Sequence, residues 1–167
     1  IKHFLRTAYW LKALEPKADE AMLITAVAHD IERAFRETDV LENIEKLSYT
    51  AVEVLRPHEE RGAEVIANFL KQQNASDQLI DKVIMLVSRH EEGGNNEQNL
   101  IKDADSISFF ENQIPHFLTI LVKQDGKKKI KEKFDWMFDR ITSEKAKQIA
   151  QPFYEKAIND LNTSPEI

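Results

Sequence analysis

Apolar residues recur at intervals of three and four along almost the whole chain, the spacing of one buried face of an α-helix. Ile1, Phe4, Ala8 and Leu11, with Leu5 beside them, predict a helix over 1–14. Pro16 and Ala18-Asp19 separate it from a second helix over 20–33. The pattern then reads as a loop with a turn of helix over 38–45, and as a short helix or extended link over 48–56 that ends before Pro57. Ala63, Ile66, Ala67 and Leu70 place a helix over 59–71. Ser76 is an N-cap for a helix over 77–90. The polar, Gly-containing stretch 91–99, EEGGNNEQN, reads as a loop. Helices follow over 100–112, 114–122 and 134–141, with Asp125-Gly126 opening a turn into a basic helix start. Thr142-Ser143-Glu144 caps a last helix that ends near Leu161. No strand pair and no internal repeat stands out. The expectation is an all-α, single-domain helical bundle over 1–162, with a disordered tail over 163–167.

Composition narrows the class. A chain of 167 residues, 42% apolar and 31% charged, suits one soluble domain with one core. The net charge of −6, with basic residues spread along the chain, argues against a broad nucleic-acid-binding face but leaves room for a local basic pocket. The absence of cysteine removes disulfides, thiolate metal sites and thiol nucleophiles, and fits a reducing, cytoplasmic compartment. No apolar stretch is long enough to span a bilayer, so no membrane partner is expected, and no signal peptide is visible. Homodimerisation is left open.

The chemistry begins at Ala26-Val-Ala-His29-Asp30, where an apolar helical run ends in a histidine followed at once by an aspartate. Neutral imidazole is a common transition-metal ligand and aspartate supplies a hard, charge-balancing oxygen. His3 is available from the first helix, and Asp103 and Asp105 from the later apolar run LIKDADSISFF. Each residue alone has a plainer reading: a satisfied structural histidine, a charge pair at a helix end, an N-cap. Together the plainer readings weaken, because carboxylates among apolar residues need a counter-charge and a metal cation is the simplest one.

The ordered set His3, His29-Asp30, Asp105 resembles the HD-domain superfamily of metal-dependent phosphohydrolases, in its small bacterial branch. RPHEERGAEVIANFL around His58 and VIMLVSRHEEGG around His90 look like the two further histidine segments of many members. The stretch FDWMFDRITSEKAKQIAQPFYEKAINDL looks like the branch's C-terminal helices, so the similarity covers nearly the whole chain. The resemblance implies His3, His29, Asp30 and Asp105 as metal ligands, with Asp103 beside them. It implies that His58 and His90 line the same cavity, binding a second ion or, as preferred here, facing the substrate phosphate.

Two positions depart from common versions of the family. Ile31-Glu32-Arg33 stands where many relatives carry a glycine, and Ser106 stands where many carry an arginine. Glu32 as a proton shuttle and Arg33 as a phosphate contact are candidate replacements, weighed against the plainer reading of exposed, salt-bridged helix-end residues. Arg6, one turn from His3, and Arg89 are further candidates to meet phosphate charge, each weighed against a surface salt bridge. His116 falls outside the pattern, and Trp10, Trp136, Phe109 and Phe110 read as core.

The implied activity is hydrolysis of a phosphoester, a nucleotide or another small phosphate compound, by a water activated on one or two divalent ions (Mn, Fe, Co, Ni, Zn or Mg). Three alternatives use the same residues: a two-iron oxygenase, an inactive ligand-sensing protein that keeps the pocket, and a structural bundle with a polar core.

Overall fold

The computed structural model describes residues 1–35 and 50–164. Among these residues the regular elements are all helical. They are α1 (Lys2–Leu14), α2 (Glu20–Ala28), α3 (Val52–Gln72), α4 (Asp77–Val87), α5 (Asn96–Asn112), α6 (Val122–Asp139) and α7 (Glu144–Thr163). A single 3-10 turn, Ile31–Ala34, follows α2, and a short helical turn with a π-helical stretch, Phe117–Leu121, leads into α6. The loop expected over 38–45 and part of the 163–167 tail lie outside the described residues. No described helix is long and apolar enough to cross a membrane.

Helix α5 is the axis of the bundle. Residues 101–110 are buried on every side. The same helix feeds Ile101 and Ala104 to a core of α1 to α4, Ile107 to a layer with Ala146 and Ala150, and Phe109 and Phe110 to a core with Ile130, Phe134 and Leu161. A helix buried all round is normally apolar all round. This one carries Lys102, Asp103, Asp105, Ser106 and Ser108, all buried. Each must therefore find a partner, and the search for those partners leads to the site.

Local chemistry sets the element ends. Ser76 caps α4 through the Leu79 N–H, Ser143 caps α7 through the Ala146 N–H, and Asn95 with Gln98 forms a capping box that starts α5 four residues before the predicted boundary. Helix α3 is the main departure from expectation. Pro57 lies inside it rather than after a break. Proline removes one helical hydrogen bond, but Leu55, His58 and Glu59 on either side are buried and hold the register.

Candidate metal centre

Helix α2 does not run on to Arg33. His29 is its C-cap, its N–H bonding Thr25 O at 2.8 Å, and Asp30 leaves the helical register at φ −96°, ψ 16°. On a regular helix neighbouring side chains diverge by about 100°. The early end lets both point into one cavity. Helix α4 likewise stops at Val87, and the turn closes through Gly93 at φ 78°, which brings His90 and Glu91 inward.

Four imidazoles meet there in the same orientation. His29 Nδ1 donates to Ala26 O at 3.1 Å, and His90 Nδ1 to Val87 O at 2.8 Å. His58 Nδ1 donates to Glu32 Oε2 at 2.8 Å. The Ser108 hydroxyl donates to His3 O at 2.8 Å, so its oxygen accepts from His3 Nδ1 at 2.9 Å. With Nδ1 committed outward, each Nε2 faces the interior. His29 Nε2 and His90 Nε2 are buried and make no hydrogen bond. A buried nitrogen without a partner is costly, and an imidazole whose Nδ1–H is anchored to a carbonyl or carboxylate is the usual form of a metal ligand. These donors fit a cation.

Two carboxylates face them. Asp105 Oδ1 lies 3.0 Å from His3 Nε2 and 3.3 Å from His29 Nε2. Asp30 Oδ1 lies 2.9 Å from His58 Nε2 and 3.9 Å from His90 Nε2, while its Oδ2 is 4.0 Å from His29 Nε2. Two groups able to hold a metal ion result: His3, His29 and Asp30, and Asp30, His58, His90 and Glu91. Asp30 belongs to both, and Asp105 closes the first.

The electrostatics point the same way. Burial alone would raise Asp30 and Asp105, yet Arg33 beside the first, and His29 and Arg140 beside the second, hold both far below the usual carboxylate range. Burial would lower His29, but Asp105 and Asp30 push it up to about 9. The carboxylates thus draw a positive charge to that spot, where a metal ion and a proton compete. Burial brings His90 down to about 4, which keeps its Nε2 lone pair available.

The site also contains residues that were not anticipated. Glu91 fell in a stretch read as loop. Arg140, at the end of α6, donates from Nη1 to Glu91 and from Nη2 to Asp105, and its Nε reaches Ser106 Oγ at 2.9 Å. Glu59, next to His58, accepts the Glu91 N–H at 2.7 Å and fixes that turn. A cavity of about 340 Å³ opens beyond the carboxylates, with Phe109, Phe117, Leu121 and Met137 on one wall and Gln113, His116, Arg33 and Lys133 among its polar lining.

Of the expected residues, His3, His29, Asp30, Asp105, His58 and His90 converge. His58 and His90 sit beside Asp30 as candidate ligands, and His58 also lines the cavity. Asp103 points the other way and accepts from Thr142 N at 2.8 Å and Ser143 N at 2.9 Å, tying α5 to the start of α7. Glu32 is not exposed and is not among the cavity-lining residues: it is buried behind His58 and also takes Arg61 Nη2 at 2.9 Å. Arg33 is half exposed and holds Asp30 Oδ1 at 2.8 Å through Nε. Arg6 turns away, its guanidinium engaged by Glu111 at 2.7 and 2.8 Å. Arg89 turns to Gly93 O and Glu92. His116, set aside as outside the pattern, lines the cavity.

Fold and centre define an all-helical protein with a buried His/carboxylate cluster able to hold metal. The chain belongs to the DUF4202 family, described as a domain of unknown function, whose sequence model matches residues 2–159. No curated protein and no solved structure matches it.

Proposed function

We propose that this chain is a metal-dependent phosphohydrolase of the HD-domain type, acting on a nucleotide or another small phosphoester. The observation that carries this reading is the set of four imidazoles, each anchored through Nδ1 and turned through Nε2 toward Asp30 or Asp105. His3, His29, Asp30 and Asp105 would hold one divalent ion of the Mn, Fe, Co, Ni, Zn or Mg group. Asp30, His58, His90 and Glu91 would hold a second.

A bound ion supplies an acidified water and charge stabilisation at the phosphoryl oxygens. The chain supplies the rest. Asp30, common to both groups, sets the spacing between them. Glu32 holds the His58 proton on Nδ1 and so keeps Nε2 directed inward. Arg140 fixes the second oxygen of both Asp105 and Glu91, which prevents either carboxylate from swinging. The apolar wall of the cavity excludes bulk water, which strengthens every charge interaction inside.

Elemental analysis of purified protein, followed by phosphate release from p-nitrophenyl phosphate and from nucleotides, tests the reading. One to two equivalents of metal and a turnover lost in His29→Ala are expected. Protein that holds no metal after exposure to Mn, Ni and Zn would overturn it. A two-iron absorption band with oxygen consumption and no phosphate release would replace it with an oxygenase.

A further inference from the structure

The cavity has two positively charged side chains in its lining, Arg33 and Lys133. Arg33 is committed to Asp30 at 2.8 Å. Lys133 is different. It is 92% buried, and among the described residues its ammonium makes no hydrogen bond and no ion pair. Its neighbour is the Trp136 ring, with Nζ 4.4 Å from the centroid. The stem is buried while the ammonium opens to the cavity, where it is poorly compensated without an anionic partner. Glu91 and Asp105 favour the ammonium only from beyond ion-pair distance, because both are taken by Arg140. Lys133 thus presents an unpaired cation to the same cavity that the candidate metal ligands His3, Asp30, His58, Glu91 and Asp105 line.

We infer that Lys133 is a specificity-determining residue: its ammonium receives a terminal phosphate oxygen of a phosphomonoester whose organic group packs on Phe109, Phe117, Leu121 and Met137. This rests on the phosphohydrolase reading and goes beyond it by choosing the monoester. A phosphodiester has two non-bridging oxygens, which ions held by the two candidate groups would engage. A monoester has a third, and with it a second negative charge, which suits an additional ammonium. Phe109, Phe117, Leu121 and Met137 in the lining are aromatic and aliphatic, so the group carried on the ester oxygen is apolar or aromatic. A lysine acts here as a point charge on a flexible stem and suits a single oxygen better than a fork.

The test measures phosphate binding rather than turnover. Inorganic phosphate is titrated calorimetrically into Mn-loaded wild type, Lys133→Met, Lys133→Gln and Lys133→Arg, with folding checked by circular dichroism. Wild type is expected to bind, the Met and Gln variants to bind at least tenfold more weakly, and Arg to keep most of the affinity. The Gln variant decides the matter if Met fails to fold. Wild type that takes up metal but binds no phosphate overturns the hydrolase reading and this inference with it. Equal binding by wild type and the Gln variant overturns the role of Lys133 and leaves the hydrolase reading standing. A second readout is the ratio of p-nitrophenyl phosphate to bis(p-nitrophenyl) phosphate hydrolysis. It should fall in Lys133→Gln, and an unchanged ratio would count against selection of the monoester.

Discussion

His58 and Glu32 form a buried pair, Nδ1 to Oε2 at 2.8 Å, that fixes which nitrogen of the ring faces Asp30. Carboxylates in this position typically contribute 10–100-fold to metal affinity. Glu32→Gln is therefore expected to weaken the ion held by His58 and His90 by about that factor, while the ion at His3 and His29 is retained. Metal titration followed by mass spectrometry distinguishes the two losses.

Asp30 belongs to both candidate groups, whereas each histidine belongs to one. Asp30→Asn should remove nearly all bound metal. His29→Ala and His90→Ala should each remove one of two equivalents. Elemental analysis of the three variants checks this, and retention of full metal by Asp30→Asn would show that the two groups act independently.

Arg140 is the counter-charge of two buried carboxylates at once. Removing one partner of a buried pair typically costs about 3–5 kcal/mol, because the other is left uncompensated. Arg140→Leu should lower metal-free stability by roughly that amount in urea unfolding. Saturating Mn should recover part of the loss, since a cation beside Asp105 and Glu91 replaces the missing charge.

Asp103 has a structural role. It accepts two backbone N–H bonds at the start of α7, bonds to a charged acceptor worth about 1.5–3 kcal/mol each. Asp103→Ala should destabilise the fold by about 3–6 kcal/mol yet leave metal content unchanged. Loss of metal in a folded Asp103→Ala protein would contradict this assignment.

Burial is the main cause that brings Lys133 down to about 8; Arg140 and Arg33 act in the same direction, and Glu91 and Asp105 oppose them. The ammonium is present below that pH and is lost above it. Phosphate affinity should accordingly fall as pH rises through about 8, and Lys133→Arg should abolish this fall. The folded chain binds this proton less tightly than the unfolded chain. The lysine's contribution to stability therefore rises with pH above about 8. Calorimetric titrations between pH 7 and 9 would check the binding half of the argument.

The all-helical class was legible because the apolar spacing is helical nearly throughout. His29 and Asp105 were legible because apolar residues flank them, where a plain structural reading is strained; His3 and Asp30 joined them through the resemblance of the ordered set. Glu91 was hidden in a polar, glycine-bearing stretch that looks like any loop, and only the three-dimensional turn at Gly93 reveals it. Lys133 and Arg140 did leave a signal. Ile130, Lys133, Phe134, Met137 and Arg140 fall at helical spacing on one face, so two cations occupy positions a core would give to apolar residues. The basic run around them masked that pattern. The premature end of α2 had no such signal, since it follows from packing around His29 rather than from a helix-breaking residue.

The bond between His3 and Ser108 joins residues 105 positions apart, and Arg140 adds a further span back to Asp105. A centre gathered from such distances is not a local motif that forms early. It requires α1, α2, α3, the turn that ends α4, α5 and α6 to be docked together. Any ion it binds is therefore held only by the assembled bundle, and its binding free energy is contributed to the docking of α1 against α5. In hydrogen exchange, metal should slow the amides of α1 more than those of α7, which contributes no residue to the centre. The ion would then act as the keystone of an arch whose stones lie far apart in the chain.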